Sequence, residues 1–340
     1  MKQIFLHASL ALLLALQSGT ALASTPLPAN TAIDFDREGP APGNMRFQWI
    51  HGSISAKANT DVRVQVHRYN AHTYILRQNP AIHWEAPFMY LVFGNDSAVL
   101  IDTGATAEAE YFPLRHTVDT VIQGWLDENN KADIKLFVLP SGADFSQLQG
   151  MAQFNGRPNT SIVEPTPEAR QNYLALAAGN PATGKLDLGG RVLQVMTTPG
   201  VSKQAISLYD PWSDLLFTGN SFYPGRLVIR DFSAYKDSLQ RLLSLADANP
   251  VSMVLGGRIE MSNFPGEDYR LRANYRPNEH SLALYTESLA TCYNIVHLIN
   301  GREDIRIYDD FIVMHGVGRG ARDHGWPSYS PARFAQARRR

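Results

Sequence analysis

Few side chains in this sequence stand at spacings that chemistry uses. The only cysteine, Cys292, excludes an intramolecular disulfide framework and any multi-cysteine zinc or iron–sulfur site. Ten histidines are scattered along the chain, and no H-x-H pair occurs among them. His67 and His72 are five apart, so a regular strand turns them to opposite sides. His116 stands alone in a helical stretch, where a surface or packing role is the ordinary one. Nucleophile and phosphate signatures are equally thin. The chain has no G-x-S-x-G elbow, no G-x-G-x-x-G and no Walker A motif. Ser202 and Lys203 are adjacent and therefore point apart. What remains is chemistry from His, Asp, Glu, Arg, Lys or a hydroxyl.

The elements that must position any site alternate short strands with helices. Val62, Val64 and Val66 alternate with polar residues, as in a half-buried strand. Tyr90–Phe93 and Ala98–Ile101 flank Gly94-Asn95-Asp96-Ser97, a hairpin signal. Leu114, Val118, Val121, Ile122 and Trp125 share one helical face, and Lys135–Leu139 reads as a buried strand. Ala205–Tyr209 and Leu215–Thr218 form a second strand pair about Asp210-Pro211. A helix over Tyr235–Ala246 and a strand over Val251–Leu255 follow. Leu282 to Ile299 predicts a long helix ending before Gly301, a C′ glycine. Such interleaving implies a layered α/β fold.

Composition narrows the function classes. The 340 residues are 44% hydrophobic and 19% charged, enough for a sizeable core, and the net charge of −1 gives no electrostatic case for nucleic acid. Lys2, the apolar run Leu10–Leu16 and Ala21-Leu22-Ala23 predict a secretory signal peptide over 1–23, and hence a periplasmic or secreted protein. The apolar run is shorter than the about 20 residues of a membrane-spanning helix, so no integral membrane segment is expected after cleavage. Residues 24–58, with many Pro, Ala and Gly, are expected to form an extended arm. Residues 59–314 form the main domain and 315–340 a tail.

Five segments in order resemble the metallo-β-lactamase superfamily. Tyr90–Phe93 with Leu100-Ile101-Asp102-Thr103-Gly104 is similar to its opening hairpin and D-x-G turn. Phe137-Val138-Leu139-Pro140-Ser141-Gly142-Ala143-Asp144-Phe145 stands where the family carries H-x-H-x-D-H. Thr198-Pro199-Gly200-Val201 resembles T-P-G-H, Leu216–Asn220 resembles F-T-G-D, and Val254–Arg258 resembles the strand delivering a last histidine. A further stretch, Glu260-Met261 through Pro265-Gly266-Glu267-Asp268-Tyr269, is similar to one in exported members. The resemblance implies a four-layer αββα sandwich. It also implies a site in which histidines and carboxylates hold zinc and activate water.

Position by position, however, the zinc ligands are replaced. The first motif's histidines fall on Pro140, Gly142 and Phe145, the next on Val201, the bridging aspartate on Asn220 and the last histidine on Arg258. Only Asp144 keeps a metal-binding side chain. The cofactor expectation is therefore none, zinc included. Asp102, which in the family steadies a ligand histidine, is expected to serve the D-T-G turn. His83, Glu85 and His280 flank the site-like segments and are candidates for a pocket rim or a relocated metal site. Arg258 is expected either to neutralise Asp144 across the cavity, as a protein cation in place of metal, or to reach solvent while Asp144 caps the next helix. The leading expectation is a non-catalytic binding protein taking a small, possibly anionic molecule or a protein partner. The alternatives are a hydrolase using Asp144 and Arg258 without metal, and a zinc hydrolase with relocated ligands. In each case Asp102, Asp144, Val201, Asn220 and Arg258 should converge at one end of the sandwich.

Overall fold

The computed structural model describes residues 32–36, 41–176 and 183–317. The expected signal peptide, and the tail beyond 317, lie outside them. A first six-stranded sheet runs in chain order through β1 (Val64–Asn70), β2 (Thr73–Gln78), β3 (Phe88–Phe93), β4 (Ser97–Ile101), β5 (Lys135–Leu139) and β6 (Thr160–Ile162). The first four strands pair antiparallel; α1 (Leu114–Glu128) then carries the chain over, so that β4 and β5 run parallel. Short helices α2 (Phe145–Leu148) and α3 (Pro167–Leu174) follow β5 and β6.

The second sheet contains β7 (Thr183–Asp187), β8 (Val192–Thr197), β9 (Ile206–Asp210), β10 (Leu215–Gly219), β12 (Met253–Gly256) and β13 (Ala283–Leu284). Strand β11 (Arg226–Ile229), which follows β10 in the chain, instead joins β14 (Asp304–Ile307) and β15 (Ile312–His315) in a small third sheet. Helix α4 (Phe232–Ala248) makes the crossover that leaves β10 and β12 parallel, and α5 (Thr286–Ile299) packs beside it.

Alternation along the central strands builds the layers. Tyr90, Val92, Val99 and Ile101 face Leu193, Ile206, Leu208 and Phe217 between the sheets. Their neighbours Leu91, Leu100, Leu136 and Val138 face outward onto Leu114, Val118, Ile122 and Trp125 of α1. On the far side Leu216 and Val254 meet Tyr235 and Leu239 of α4, and Leu289 and Cys292 of α5. With both faces covered, these strands read in sequence as nearly continuous apolar runs. The result is the αββα sandwich expected.

Local boundaries shift in three places. Val62 precedes β1 and is exposed. Leu282 lies before α5, because Ala283 and Leu284 pair with Leu255 and Val254 at the sheet edge and Tyr285 becomes the helix N-cap. His315 belongs to β15, one residue past the expected domain end. The described part of the arm has little regular structure beyond a 3-10 turn at Ala56–Ala58. It lies along β1, with the Asn44 amide donating to Tyr69 O at 2.8 Å and the Ile50 amide to Gln65 Oε1 at 2.8 Å.

Candidate functional site

The chain leaves β4, β5, β10 and β12 at the same end of the sandwich, and the residues after those strands meet there. Tyr90 helps fix the two sheets at this end, its hydroxyl donating to Gly256 O at 2.5 Å. Asp102 follows β4 with a positive φ of 65°, the strained turn that a D-T-G sequence makes. Its carboxylate accepts from the Ser141 amide at 2.7 Å and the Ser141 hydroxyl at 2.8 Å. Gln147 donates to Ser141 Oγ at 2.6 Å, and its other amide atom, Oε1, accepts from the Asp144 amide at 3.2 Å. Asp102 thus does more than hold its own turn: it organises the loop after β5. Burial pushes its carboxyl up to about 7 despite the hydrogen bonds from Ser141 and Gln147.

This polar floor occupies the space that side chains at 142 and 219 would need. A Cβ at Gly142 would lie 2.4 Å from Gln147 Oε1, and one at Gly219, itself at φ 52°, would lie 2.1 Å from Ser141 Oγ. Val201 is buried among the apolar residues beneath α4. Pro140 contributes its carbonyl oxygen, which accepts from Arg170 Nη2 at 3.2 Å. Phe145 turns outward, 54% exposed, with its ring 5.5 Å from that of His83.

Asp144 is the N-cap residue of α2, in a capping box with Gln147, and its carboxylate has two further side-chain partners. Asn220 Nδ2 donates to its Oδ2 at 3.2 Å, and Arg230 Nη1 pairs with its Oδ1 at 3.2 Å. The Arg230 amide donates to Gly200 O at 2.9 Å, so the loop that holds Val201 also positions this arginine. Arg230 sits one residue before Asp231, whose carboxylate caps α4 by accepting from the Ala234 amide at 3.0 Å.

Arg258 does not pair with Asp144, which corrects the expectation drawn from the sequence. Its Nη1 bonds Glu85 Oε1, and its guanidinium lies over the Tyr223 ring at 4.9 Å. The reason is chain geometry. The Phe88 amide donates to Gly257 O at 2.8 Å, which brings the loop before β3, Glu85 included, alongside Arg258. Asp144 instead takes Asn220 and Arg230 as its partners. Nor does Arg258 reach solvent: both members of its pair are about nine-tenths buried.

Behind Arg258 lies a buried charge network. Glu260 accepts from Tyr223 OH at 3.1 Å and from the Arg226 amide at 2.8 Å. Burial alone would raise the Glu260 carboxyl, but Arg258 and Arg226 outweigh it and hold it at about 2. The Glu260–Tyr269 stretch closes on itself, the Tyr269 amide donating to Glu260 O at 2.9 Å, and supplies Asp268 to Arg226. Among the expected rim residues, His83 and Glu85 join this region. Burial, then Arg258 and Arg276, keep the His83 imidazole below its ordinary range against the pull of Glu85. His280 stands elsewhere: its ring nitrogens contact Ser281 O at 2.8 Å and Asp310 Oδ1 at 3.3 Å.

Asp144 meets Asn220 directly and Asp102 through Gln147, whereas Val201 packs among apolar residues and Arg258 pairs with Glu85. What sequence reasoning missed is Arg230, which no spacing marks, and the Ser141–Gln147 pair, whose roles depend on a strand crossing. Zinc, implied by the resemblance, does not fit the residues present. At the former ligand positions the donors are one carboxylate, Asp144, and one amide, Asn220, with the guanidinium groups of Arg230 and Arg258 nearby, and no group of three or more His, Cys, Asp or Glu poised for a metal occurs among the described residues.

The ordered segments and the αββα sandwich they build define a metallo-β-lactamase-like fold, and the superfamily resemblance stands. No family model matches the chain. It is 39% identical over 95 residues to an acyl-coenzyme A thioesterase, MBLAC2, of Gallus gallus, covering 26% of this chain and 34% of that protein. The Homo sapiens MBLAC2 is 36% identical over 95 residues, 26% of this chain and 33% of that protein. The chain thus spans about a third of the length of these curated relatives. Among solved structures, a metallo-β-lactamase from Pontibacter korlensis has 17% identity and a TM-score of 0.44, covering 69% of this chain and 99% of that one. One from Erythrobacter litoralis, with beta-mercaptoethanol in its active site, has 18% identity and a TM-score of 0.43, covering 59% and 91%.

Proposed function

We propose that the chain is an exported, metal-independent binding protein on a metallo-β-lactamase-like fold, with its binding surface at the strand ends around Asp144, Phe145 and Arg230. The observation that carries this reading is that both cations facing the site's carboxylates belong to the protein. Arg230 answers Asp144 and Arg258 answers Glu85. The positions where the family carries its histidines offer Arg258 and apolar residues and no imidazole, and Arg230 adds a second guanidinium beside Asp144. The exposed Phe145 ring offers an apolar contact beside Arg230, which suits a small molecule with an anionic group.

Two measurements test the reading. Purified protein, dialysed against zinc and then against buffer, is analysed for metal; well under one zinc per chain is expected, and one retained zinc per chain would sink the proposal. Export is tested by N-terminal sequencing of the protein from the periplasm, with Ser24 expected as the first residue.

A second reading has one observation behind it, the 95-residue similarity to proteins named acyl-coenzyme A thioesterases. Under it, the site hydrolyses thioesters without metal. Release of free thiol from palmitoyl-coenzyme A decides between the two. No turnover above the blank is expected. Turnover abolished by Asp144→Asn would replace the binding reading with a hydrolase.

A further inference from the structure

The arm creates a second recess, away from the strand ends. A cavity of about 340 Å³ opens between residues 45–51 and the 276–282 loop, within the range of about 300–1,000 Å³ common for ligand sites. One wall is aromatic. Phe47 stacks one face on His67 with centroids 4.1 Å apart, and the residue remains 38% exposed. Trp49 stands edge-on to Phe47 at 5.0 Å and to the buried Phe88 at 4.9 Å, so its ring is held before any ligand arrives.

The other wall is charged, and its charges are unevenly free. Glu279 takes a bidentate bond from the fully buried Arg77, at 2.6 Å on each oxygen, and a further contact from Arg276 at 3.5 Å. Arg276 also donates to Ile259 O at 2.6 Å. That carboxylate is saturated and offers little to an incoming cation. Arg46 is exposed, and neither its guanidinium nor the His51 ring makes a hydrogen bond with any described residue. The recess therefore presents a flat apolar surface beside unused donors and a net positive lining.

We propose that this cleft binds a small carboxylate joined to a flat apolar ring, the ring against Phe47 and Trp49 and the carboxylate on Arg46. The probe is 3-phenylpropionate, titrated into the full chain by calorimetry beside its neutral amide. Saturable binding of one acid per chain is expected, with the amide weaker. Arg46→Gln should weaken the acid by about tenfold or more, the worth of one charge-assisted pair, and leave the amide unchanged. Phe47→Ala should weaken both. Arg46 and Phe47 are surface residues, and circular dichroism checks that each variant folds. Arg230→Gln should change neither affinity, which separates this cleft from the strand-end site. Three results would overturn the proposal: no saturable acid binding, acid binding indifferent to both arm substitutions, or acid binding lost with Arg230→Gln.

Discussion

Replacing Arg258 with methionine strands the Glu85 carboxylate, whose side chain is only 10% exposed. Removing one member of a buried ion pair typically costs about 3–5 kcal/mol. Glu260 loses a partner as well. Its carboxyl, held at about 2 against an ordinary 4.5, contributes stability that is present above pH 4.5 and lost as pH falls toward 2. Without Arg258 that carboxyl titrates higher, so acid unfolding of the variant should begin at higher pH than in the wild type. Adding Glu85→Gln removes the stranded charge and should recover about half of the loss, about 2 kcal/mol, so the coupling energy should be at least about 2 kcal/mol, larger by whatever Glu85→Gln costs alone. The assay is urea unfolding at pH 7 of the wild type, both single variants and the double variant, followed by circular dichroism. The matching cycle between Arg258 and Asp144 should return under about 0.5 kcal/mol, because those side chains have different partners. Additive effects for Arg258 and Glu85, or strong coupling to Asp144, would refute the geometry.

Asp102 makes a prediction of opposite sign. Its folded carboxyl is raised from 3.8 to about 7, so its contribution is full below pH 3.8 and is lost as pH rises toward 7. Asp102→Asn should flatten that part of the stability profile, measured by urea midpoints between pH 4 and 8. Gly219→Ala places a Cβ 2.1 Å from Ser141 Oγ at a φ of 52°, and should cost about 1–3 kcal/mol by thermal or urea unfolding. Asp231→Ala removes the cap of α4 and should cost about 1 kcal/mol, read in the same way and with no change in Asp144 chemistry expected.

The layered fold was legible where strands are covered on both faces. Tyr90–Phe93, Ala98–Ile101 and Leu136–Leu139 are unbroken apolar runs, and the structure places strands there within two residues. The helices α1 and α4 declared themselves through single apolar faces. Strands β7, β8, β11, β14 and β15 did not: each carries at least one polar residue, and β11 pairs with β15, a neighbour distant in sequence. The loss of ligand side chains was equally plain from residue identity alone. Which charge meets which was not. Arg258 and Glu85 are 173 positions apart, and their meeting depends on one backbone hydrogen bond, from Phe88 to Gly257. Asp144 and Arg230 are 86 apart and meet through the turn at Gly200.

The hydrogen-bonded floor formed by Asp102, Ser141 and Gln147 has a consequence for how this protein can change. A histidine introduced at 142 enters volume already taken by Gln147 and loosens α2 before it has any metal to bind. One introduced at 201 must displace apolar packing under α4, and one at 258 leaves Glu85 stranded. Each step lowers stability, and no step alone assembles the about three ligands that a catalytic zinc requires. Acquisition of a metal centre by successive single substitutions therefore runs uphill until several are in place together. Selection acting on one residue at a time would more readily remodel the exposed surface of Phe145 and Arg230, where new binding specificities can arise without disturbing the floor.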